Sequence, residues 1–411
     1  MRRIWSVLLV AAMLLSLCVL AVNAEGWVDE EEEEISLEQL ERQRQAAATP
    51  TPAPDPNATP VPSPSPAPTA APLLQADGSL MITITAVGDV TIGYDVEHER
   101  KGNGLFDKEL KKQGGDPNFI FRNVKEIFEA DDLTIANFEG VLADDTVSVS
   151  KKNNDSFRFV GDPAYALVLS GNSVEAVTME NNHIGDFGQA GILSTAAAME
   201  SAGVVWANKD HLGVYETQGV KIGMLAYQIV PPLRSDEMKA DELQRKVAQD
   251  IASAKETCDL VFVSFHWGKE LDYAPRNESP YKQIDLGHAA IDAGADLVLG
   301  HHSHRINPIE CYKGRYIVYS LANCSFAGNN KPSDMFTFIF QTRFRIKNGE
   351  IVGNPFRIIP CRISSRKDYN DFAITPLTDV SNITTVLNTL KNKTNNKNLD
   401  YAVTDYPMEW E

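Results

Sequence analysis

The chain has 411 residues, of which 43% are hydrophobic and 23% are charged, and it carries a formal net charge of −18. At roughly 150 residues per domain, this length allows two or three domains. The balance of apolar and charged residues excludes a wholly disordered, collagen-like or coiled-coil protein. Because so acidic a surface repels a polyanion, we expect no nucleic-acid partner.

The first 24 residues have the pattern of a secretory signal peptide. Arg2 and Arg3 precede an apolar run that ends at Val22, and the small residue Ala24 precedes Glu25. A basic start, an apolar middle and small residues before the cleavage site are typical of exported proteins. An uncleaved membrane anchor is the alternative, because the run is only a little shorter than the ~20 residues that span a bilayer. Both interpretations predict an extracytoplasmic protein, either membrane-anchored through its N-terminus or secreted.

Residues 25–79 have the composition of an acidic and Pro/Thr/Ala-rich linker. Six consecutive acids run from Asp29 to Glu34, and ten of the 22 prolines fall between Pro50 and Pro72. Such a segment buries too little apolar surface to offset the entropy of ordering it. We expect a disordered Pro-rich stalk that holds a folded domain away from a membrane or wall, or a linker with no spacing role. The folded domain is then 80–370, followed by a polar C-terminal tail over 371–411 to which no role is assigned.

From Leu80 onward, short apolar runs alternate with helical patterns, which predicts an α/β sheet. Towards the C-terminus the runs become longer and alternating, with turns such as Lys347-Asn348-Gly349 between them, and this indicates antiparallel hairpins. The predicted helices are 118–130, 188–202, 236–255 and 281–293. The predicted strands are 81–87, 133–136, 174–178, 204–207, 220–226, 260–264, 297–299, 315–321, 335–346 and 351–362.

Polar residues follow many of these strands directly, where open α/β sheets bind their ligands. Five of the eight histidines fall at such strand exits. Because neighbouring strands lie about 4.8 Å apart, these side chains can meet on one rim within reach of one or two metal ions. Imidazoles suit Zn or Fe, and carboxylates suit Mn or Mg, so the metal identity stays open. The residues at these exits are Asp89, Glu139, Asn182, His183, Asp186, His266, His301, His302 and His304.

The residue types predict a division of roles within a dinuclear hydrolytic site, in which two ions ~3.5–4 Å apart clamp a phosphoryl group. Asp89 and Glu139 are expected to be anionic or bridging ligands, and Asn182 an amide-oxygen ligand. His183 would act as a general acid or oxyanion stabiliser, oriented by Asp186. The predicted imidazole ligands are His266, His302 and His304.

Six motifs in this order resemble the bacterial capsule synthesis protein CapA family, over about Met81 to Cys361. The family is associated with poly-γ-glutamate capsule synthesis and is related to the calcineurin-like metallophosphoesterases. The resemblance implies a four-layer α/β/β/α sandwich, an extracytoplasmic membrane-associated domain and a metal site at the positions above. The motifs are Gly88-Asp89, Asn137-x-Glu139, Asn182-His183 with Asp186, His266-Trp267-Gly268-x-Glu270, Gly300-His301-His302-x-His304 and Tyr319-Ser320-Leu321-x-Asn323.

The chain also departs from the pattern of the wider superfamily. That superfamily begins with Asp-x-His, whereas this chain has Thr91 at the third position, so one imidazole ligand is missing. Metal affinity and the number of ions are therefore open. His301 is as compatible with a supporting role as with coordination. Trp267 is expected to pack at the rim, and Glu270 either holds a ligand histidine or ends its strand in solvent.

Three functional classes fit these observations. The first is a metal-dependent hydrolase acting on a phosphoester, an amide or a γ-glutamyl bond. The second is a capsule assembly or export component that binds an anionic polymer or partner membrane proteins, such as a capsule ligase and exporter. The third is a surface protein with a vestigial site, against which six ligand-capable residues argue. An anionic polymer also poses a problem for so acidic a chain, which metal ions at the rim would relieve.

Overall fold

The computed structural model describes residues 74–96, 99, 104–148, 157–230 and 238–410. The expected signal peptide or anchor over 1–24, and the linker up to residue 73, lie outside the described residues. Among the described residues, no helix is both long and apolar enough to cross a bilayer. The described cysteines, Cys258, Cys311, Cys324 and Cys361, are all free thiols.

Strands and helices alternate along the chain, as the sequence predicts, and the α/β fold class is confirmed. The strands are β1 Leu80–Thr91, β2 Tyr94–Asp95, β3 Leu133–Phe138, β4 Val141–Leu142, β5 Phe159–Gly161, β6 Ala176–Thr178, β7 Val205–Ala207, β8 Gly213–Thr217, β9 Val220–Ile229, β10 Leu260–Trp267, β11 Leu297–His301, β12 Ile309–Tyr312, β13 Arg315–Val318, β14 Asn323–Phe326, β15 Phe336–Lys347, β16 Glu350–Gly353, β17 Phe356–Arg362 and β18 Thr375–Pro376. The helices are α1 Leu105–Lys112, α2 Lys125–Phe128, α3 Ala166–Ser170, α4 Gly188–Ser201, α5 Ala240–Lys255, α6 Gln283–Asp292 and α7 Val380–Leu390.

Within the described residues, most strands belong to two large mixed sheets. The first has the order β18-β17-β15-β1-β3-β6-β7, with β14 paired to β1 and β16 to β15. The second has the order β12-β13-β11-β10-β9-β8, and a small third sheet has the order β2-β5-β4. The central pairs β1/β3 and β10/β11 are parallel. Their carboxyl ends therefore present side chains from distant parts of the chain together.

Three apolar clusters surround the two large sheets. One cluster joins Ile84 and Phe340 of the first sheet to Met224 and Leu299 of the second. Another joins the opposite face of the first sheet to helices α3 and α4. The third joins the opposite face of the second sheet to helices α5 and α6. Each sheet therefore buries both faces, which is why its parallel strands are nearly continuous apolar runs.

The expected antiparallel hairpins are present near the C-terminus. Strand β15 pairs antiparallel with both β16 and β17. The turn between β15 and β16 places Asn348 at φ 55° and Gly349 at φ 78°. Two consecutive residues with positive φ are typical of the two-residue turns that match the twist of a hairpin, and Asn-Gly is well suited to them.

The predicted helix over 118–130 is wrong for most of its length. Residues 117–120 form a 3₁₀ turn, which Asp116 caps by accepting a hydrogen bond from the Asn118 N–H at 2.9 Å. Only α2 within this segment is α-helical. Phe119, Ile120 and Phe121 are all buried. Three consecutive buried side chains cannot share one face of an α-helix, so the segment follows tertiary packing instead.

Of the segment expected to be a polar tail over 371–411, the described residues 371–410 are instead folded against both large sheets. Helix α7 begins after Asp379, whose side chain caps it, and Val386 and Leu390 are fully buried in the core between the sheets. Tyr406 joins the same core. The Trp410 ring lies 4.0 Å from the Arg343 guanidinium carbon. The Lys- and Asn-rich stretch after α7 hides this pattern, because the anchoring apolar residues are few and widely spaced.

Candidate metal centre

The site begins with Asp89 at the end of β1. Strand register places Asp89 opposite Asn137 of β3 and opposite Asn323 of β14. Gly88 permits this arrangement, since a Cβ there would lie only 1.9 Å from the Ala322 carbonyl oxygen. The first sheet therefore brings one carboxylate and two amide side chains, far apart in sequence, to one point.

The Asp89 carboxylate is fully buried and surrounded by nitrogen atoms. The Asn137 Nδ2 group donates to its Oδ1 at 2.8 Å, and the His301 Nδ1 atom lies 3.0 Å from the same oxygen. The backbone N–H of His302 donates to Oδ2 at 3.3 Å, and the His304 Nδ1 atom lies 3.3 Å from it. Burial raises the pKa of Asp89, but the contacts with His301 and His304 outweigh this and hold it well below its usual value. Asp89 is therefore held as an anion.

Glu139 is also buried, yet neither of its carboxylate oxygens has a hydrogen-bond donor within the part of the chain that the structure describes. Its nearest basic neighbours are His266 Nε2 at 3.5 Å, His304 Nδ1 at 3.9 Å and His183 Nε2 at 4.0 Å. Burial raises the pKa of Glu139 to about 7. A buried carboxylate without donors is costly unless a cation neutralises it. Asp89, Glu139 and His304 each offer a donor atom, and these atoms all lie within 4.8 Å of one another.

The second sheet contributes the imidazoles. His266 at the end of β10 places Nε2 2.6 Å from the Asn182 Oδ1 atom and 3.1 Å from the His302 Nδ1 atom. Burial lowers the pKa of His266, and it lowers that of His302 to about 3, so both rings are neutral at pH 7 and able to act as ligands. For His304, burial lowers the pKa, but the Glu139 and Asp89 carboxylates outweigh it and raise the pKa to about 9.

The backbone after β11 is bent sharply to present these histidines. His302 has φ 88° and His304 has φ 53°, both in the left-handed region that side chains other than glycine seldom adopt. Gly300 permits the close approach of the neighbouring chain, because a Cβ there would lie 2.1 Å from the Tyr319 carbonyl oxygen. Such strained backbone is often found at functional sites.

His183 stands beside this cluster and is held by Asp186. The His183 Nδ1 atom lies 2.8 Å from Asp186 Oδ2, and since a carboxylate only accepts, Nδ1 carries the proton. The Phe159 ring packs edge-on against His183 at 4.9 Å between centroids. The Asn181 Oδ1 atom accepts from the His183 backbone N–H at 3.1 Å. These contacts fix the ring with Nε2 on the side of Glu139.

A cleft of about 440 Å³ opens above the cluster. His183, His302 and His304 line it on one side, and aromatic rings line another part of its wall. The structure thus brings together all eight residues to which the sequence assigned a ligand or catalytic role: Asp89, Glu139, Asn182, His183, Asp186, His266, His302 and His304. Their roles as ligands or catalytic groups stay predictions.

Four further residues lie at or near the site, of which Asn323 and Arg305 had no assigned role in the sequence. The Asn323 Oδ1 atom lies 2.9 Å from His304 Nδ1. Its place in the Tyr319-Ser320-Leu321-x-Asn323 motif is the sequence feature that could have assigned Asn323 to the site. Arg305 lines the cleft directly after His304. Trp267, which was expected to pack at the rim, is fully buried and donates to the Tyr319 carbonyl at 2.9 Å. Glu270 is exposed and lines the cleft.

Comparison with known proteins gives a family match over most of the folded region. The family model described as bacterial capsule synthesis protein PGA_cap matches residues 83–327. A capsule biosynthesis protein CapA of Bacillus anthracis is 29% identical over 262 residues, which cover 60% of this chain and 60% of that protein. A probable polyglutamine synthesis accessory protein of Mycobacterium tuberculosis is 32% identical over 213 residues, covering 46% of this chain and 54% of the relative. The chain thus matches little more than half the length of these curated relatives.

Solved structures are more distant. A hypothetical protein from Thermus thermophilus is 16% identical, with a TM-score of 0.41 over 68% of this chain and 99% of the other. At that score the similarity carries no conclusion about the fold.

Proposed function

The chain belongs to the bacterial capsule synthesis protein PGA_cap family, and from that premise we propose that it is an extracytoplasmic component of poly-γ-glutamate capsule synthesis or export with a metal-dependent hydrolase site. The observation that carries the proposal is the buried Glu139 carboxylate, which faces three histidines and finds no hydrogen-bond donor among the described residues. A divalent cation supplies what that carboxylate lacks.

The residues of the cluster fit such an ion. Oxygen donors from Asp89, Glu139 and Asn182, together with nitrogen donors from His266, His302 and His304, suit Mn, Zn, Fe or Mg. A bound ion of this kind polarises a phosphoryl or carbonyl oxygen and acidifies a bound water. The buried carboxylates and imidazoles also exclude solvent from the floor of the cleft, which strengthens their electrostatic effect.

His183 is proposed as the group that handles the proton. With Nδ1 donating to Asp186, the ring presents Nε2 on the Glu139 side of the cleft. From that atom it can give a proton to a departing oxygen or nitrogen, or hydrogen-bond to developing negative charge. Asp186 fixes the tautomer and stabilises the protonated ring.

The fold is proposed to be the four-layer α/β/β/α sandwich of the calcineurin-like metallophosphoesterases. The separate apolar clusters between the two sheets and on their outer faces support this arrangement. The exported location and the association with a capsule ligase or exporter are part of the same proposal. They rest on the N-terminal sequence pattern and on the family.

A second candidate is a non-catalytic polymer-binding or assembly component. Thr91 favours it, because its buried hydroxyl has no hydrogen-bond partner among the described residues and stands where the superfamily motif has an imidazole ligand. A centre that lacks one ligand can bind metal more weakly or hold fewer ions. A phosphoesterase unrelated to capsule is a variant of the first candidate that differs only in substrate.

The test is hydrolysis by the full chain loaded with Mn²⁺ or Zn²⁺. The substrates are bis-p-nitrophenyl phosphate, followed by absorbance, and poly-γ-glutamate, followed by chain length. We expect metal-dependent hydrolysis of one of them, reduced at least about 100-fold by Asp89→Ala. The matched control is His211→Ala, because His211 is exposed and stacks on Trp206. Metal binding without hydrolysis of either substrate would favour the assembly component.

A further inference from the structure

Arg305 is a buried cation in the wall of the cleft. It follows His304 directly, is only 6% exposed and lines the same cavity as His302 and His304. Its Nη1 group donates to the His304 carbonyl at 2.8 Å, and its Nη2 group donates to Ser333 Oγ at 2.7 Å. The guanidinium carbon lies 5.7 Å from the centre of the Tyr273 ring. These contacts hold the guanidinium in a fixed position.

Among the residues that the structure describes, no carboxylate lies within ion-pair distance of this charge. Its guanidinium donates to a carbonyl and a hydroxyl, and it also hydrogen-bonds the Tyr273 hydroxyl, which in turn donates to Asp334 Oδ2 at 2.8 Å. Arg276, in contrast, donates to Asp272 Oδ2 at 2.6 Å and to Glu278 Oε1 at 2.8 Å. The contrast is informative because the protein is strongly acidic, with 56 Asp and Glu against 38 Lys and Arg.

Burying a guanidinium without a counter-ion lowers the stability of the folded protein. Proteins retain such a group at functional sites, where a ligand supplies the missing anion. Guanidinium groups have five N–H donors in a planar fork that matches a carboxylate or phosphoryl group, and the contacts of Arg305 with the protein leave part of its fork available. The Arg305 group also follows the backbone of the candidate ligand His304, so its position is tied to that of the metal centre.

We propose that Arg305 binds an oxyanion of the substrate, a carboxylate or phosphoryl group next to the bond that is cleaved or held. This inference rests on the proposed function, because it concerns the same cleft. It narrows the substrate to molecules that carry an anionic group beside the group that faces the metal centre. It also explains how so acidic a protein can hold an anion: the attraction is local, fixed and shielded from the rest of the surface.

The experiment measures anion binding by the full chain with and without Mn²⁺, using calorimetry. The probes are inorganic phosphate, a γ-linked glutamate oligomer, and the same oligomer with its carboxyl groups amidated. The variants are Arg305→Gln, Arg305→Lys and the control Arg276→Gln, and the metal content of each is measured by elemental analysis. The two anionic probes separate a phosphoryl from a carboxylate ligand, and the amidated oligomer shows how much binding depends on charge.

We expect Arg305→Gln to weaken the binding of one anionic probe about 10- to 100-fold with unchanged metal content. Arg305→Lys is expected to weaken it less, because it keeps the charge but loses the fork. Arg276→Gln and the wild type are expected to bind alike. If Arg305→Gln loses metal, Arg305→Lys decides: weaker anion binding with metal retained supports the proposal, and loss of metal again overturns it.

Anion binding by Arg305→Gln within about twofold of the wild type overturns the proposal, as does a wild type that binds neither anionic probe. A wild type that binds an anion through Arg305 but holds no metal would instead contradict the proposed function. The two failures are therefore distinguishable.

Discussion

Two buried clusters of this protein each place a glutamate beside histidine. In only one of them does the glutamate accept hydrogen bonds from described residues. In the candidate metal centre, no described residue donates a hydrogen bond to either oxygen of Glu139. In the second cluster, Glu310 of β12 is equally buried but accepts from His288 Nε2 at 2.9 Å, from the Tyr319 hydroxyl at 2.8 Å and from the Tyr401 N–H at 3.2 Å. The comparison separates a carboxylate that stabilises the fold from one that needs a further partner.

The hydrogen bonds to Glu310 in the second cluster stabilise the fold. Burial, reinforced by the Glu310 charge, raises the pKa of Tyr319 well above its usual value, so the hydroxyl stays a donor. The same carboxylate fixes Tyr401, next to the point where Ala402 pairs with Glu310. Glu310 thus anchors the C-terminal segment to the second sheet, using its hydrogen bonds internally. Glu139 makes no such bond with any residue that the structure describes, although folding has buried it equally.

The largest expected effect concerns the two histidine–carboxylate pairs, His183 with Asp186 and His288 with Glu310. We expect His183→Ala to slow any hydrolysis by the metal-loaded chain about 10²- to 10⁴-fold, because it removes the proposed proton donor. We expect His288→Ala to leave the rate unchanged, measured well below its melting temperature. Equal effects of the two substitutions would remove the functional distinction between the clusters.

The next effect is on stability. Glu310→Gln exchanges an anion that accepts three hydrogen bonds for a neutral amide, and hydrogen bonds to charged groups are worth about 1.5–3 kcal/mol each. We expect the free energy of unfolding to fall by about that amount, as measured by urea denaturation, with metal binding unchanged. Unaltered stability would mean that the hydrogen bonds around Glu310 do not hold the C-terminal segment.

The corresponding substitution in the metal centre is expected to have the opposite sign. In the presence of a chelator at pH 8, Glu139→Gln replaces an unsatisfied carboxylate by a neutral group, and we expect stabilisation by about 1 kcal/mol or more. The same variant should bind Mn²⁺ or Zn²⁺ at least about tenfold more weakly. Destabilisation of the metal-free chain would show that Glu139 is already satisfied without a cation.

The smallest expected effect is on the stability of an Asp131 variant. It tests whether a buried carboxylate with a raised pKa is necessarily a metal ligand. Asp131 lies away from the metal centre, and burial raises its pKa to about 7, although Thr134 Oγ1 donates to it at 2.7 Å. Between about pH 4 and pH 7 the folded state keeps a proton that the unfolded state has released, so this group lowers stability as the pH rises through that window. Asp131→Asn should therefore stabilise the protein by on the order of 1 kcal/mol at pH 8 and by nothing below about pH 4.

Metal binding by Asp131→Asn is expected to match that of the wild type, which makes it a control for Glu139→Gln. A pH-independent difference in stability between Asp131→Asn and wild type would contradict the elevated pKa. A loss of metal in this variant would show that the two carboxylates are coupled across the fold.

Much of the site could be predicted because strand exits are readable from the sequence. Asp89, His266 and His302 each follow an apolar run, and parallel strands bring their carboxyl ends to one edge. The unsatisfied state of Glu139 could not be predicted, because it depends on which donors the neighbouring strands leave unused. Likewise, Arg305 resembles an ordinary surface residue in the sequence until the fold shows that no described acid pairs with it.

The wrongly predicted parts of the fold have a common physical origin. Residues 118–130 and the C-terminal segment both contain sequence patterns for which local propensity favours one structure and tertiary packing another. In the first, three adjacent buried residues override a helical pattern. In the second, Val386, Leu390 and Tyr406 anchor a segment whose composition is mostly polar. Widely spaced contacts of this kind leave little periodic signal.

Whether the Glu139 cluster holds a divalent cation is measured most directly by the metal content of the full chain after equilibrium dialysis against Mn²⁺ or Zn²⁺. Elemental analysis should find at least one ion per wild-type chain, and essentially none in Asp89→Ala or His302→Ala. Glu310→Gln, which alters the second cluster, should retain the wild-type amount. A wild-type chain that holds no metal, or an Asp89→Ala chain that holds as much as the wild type, would contradict the account.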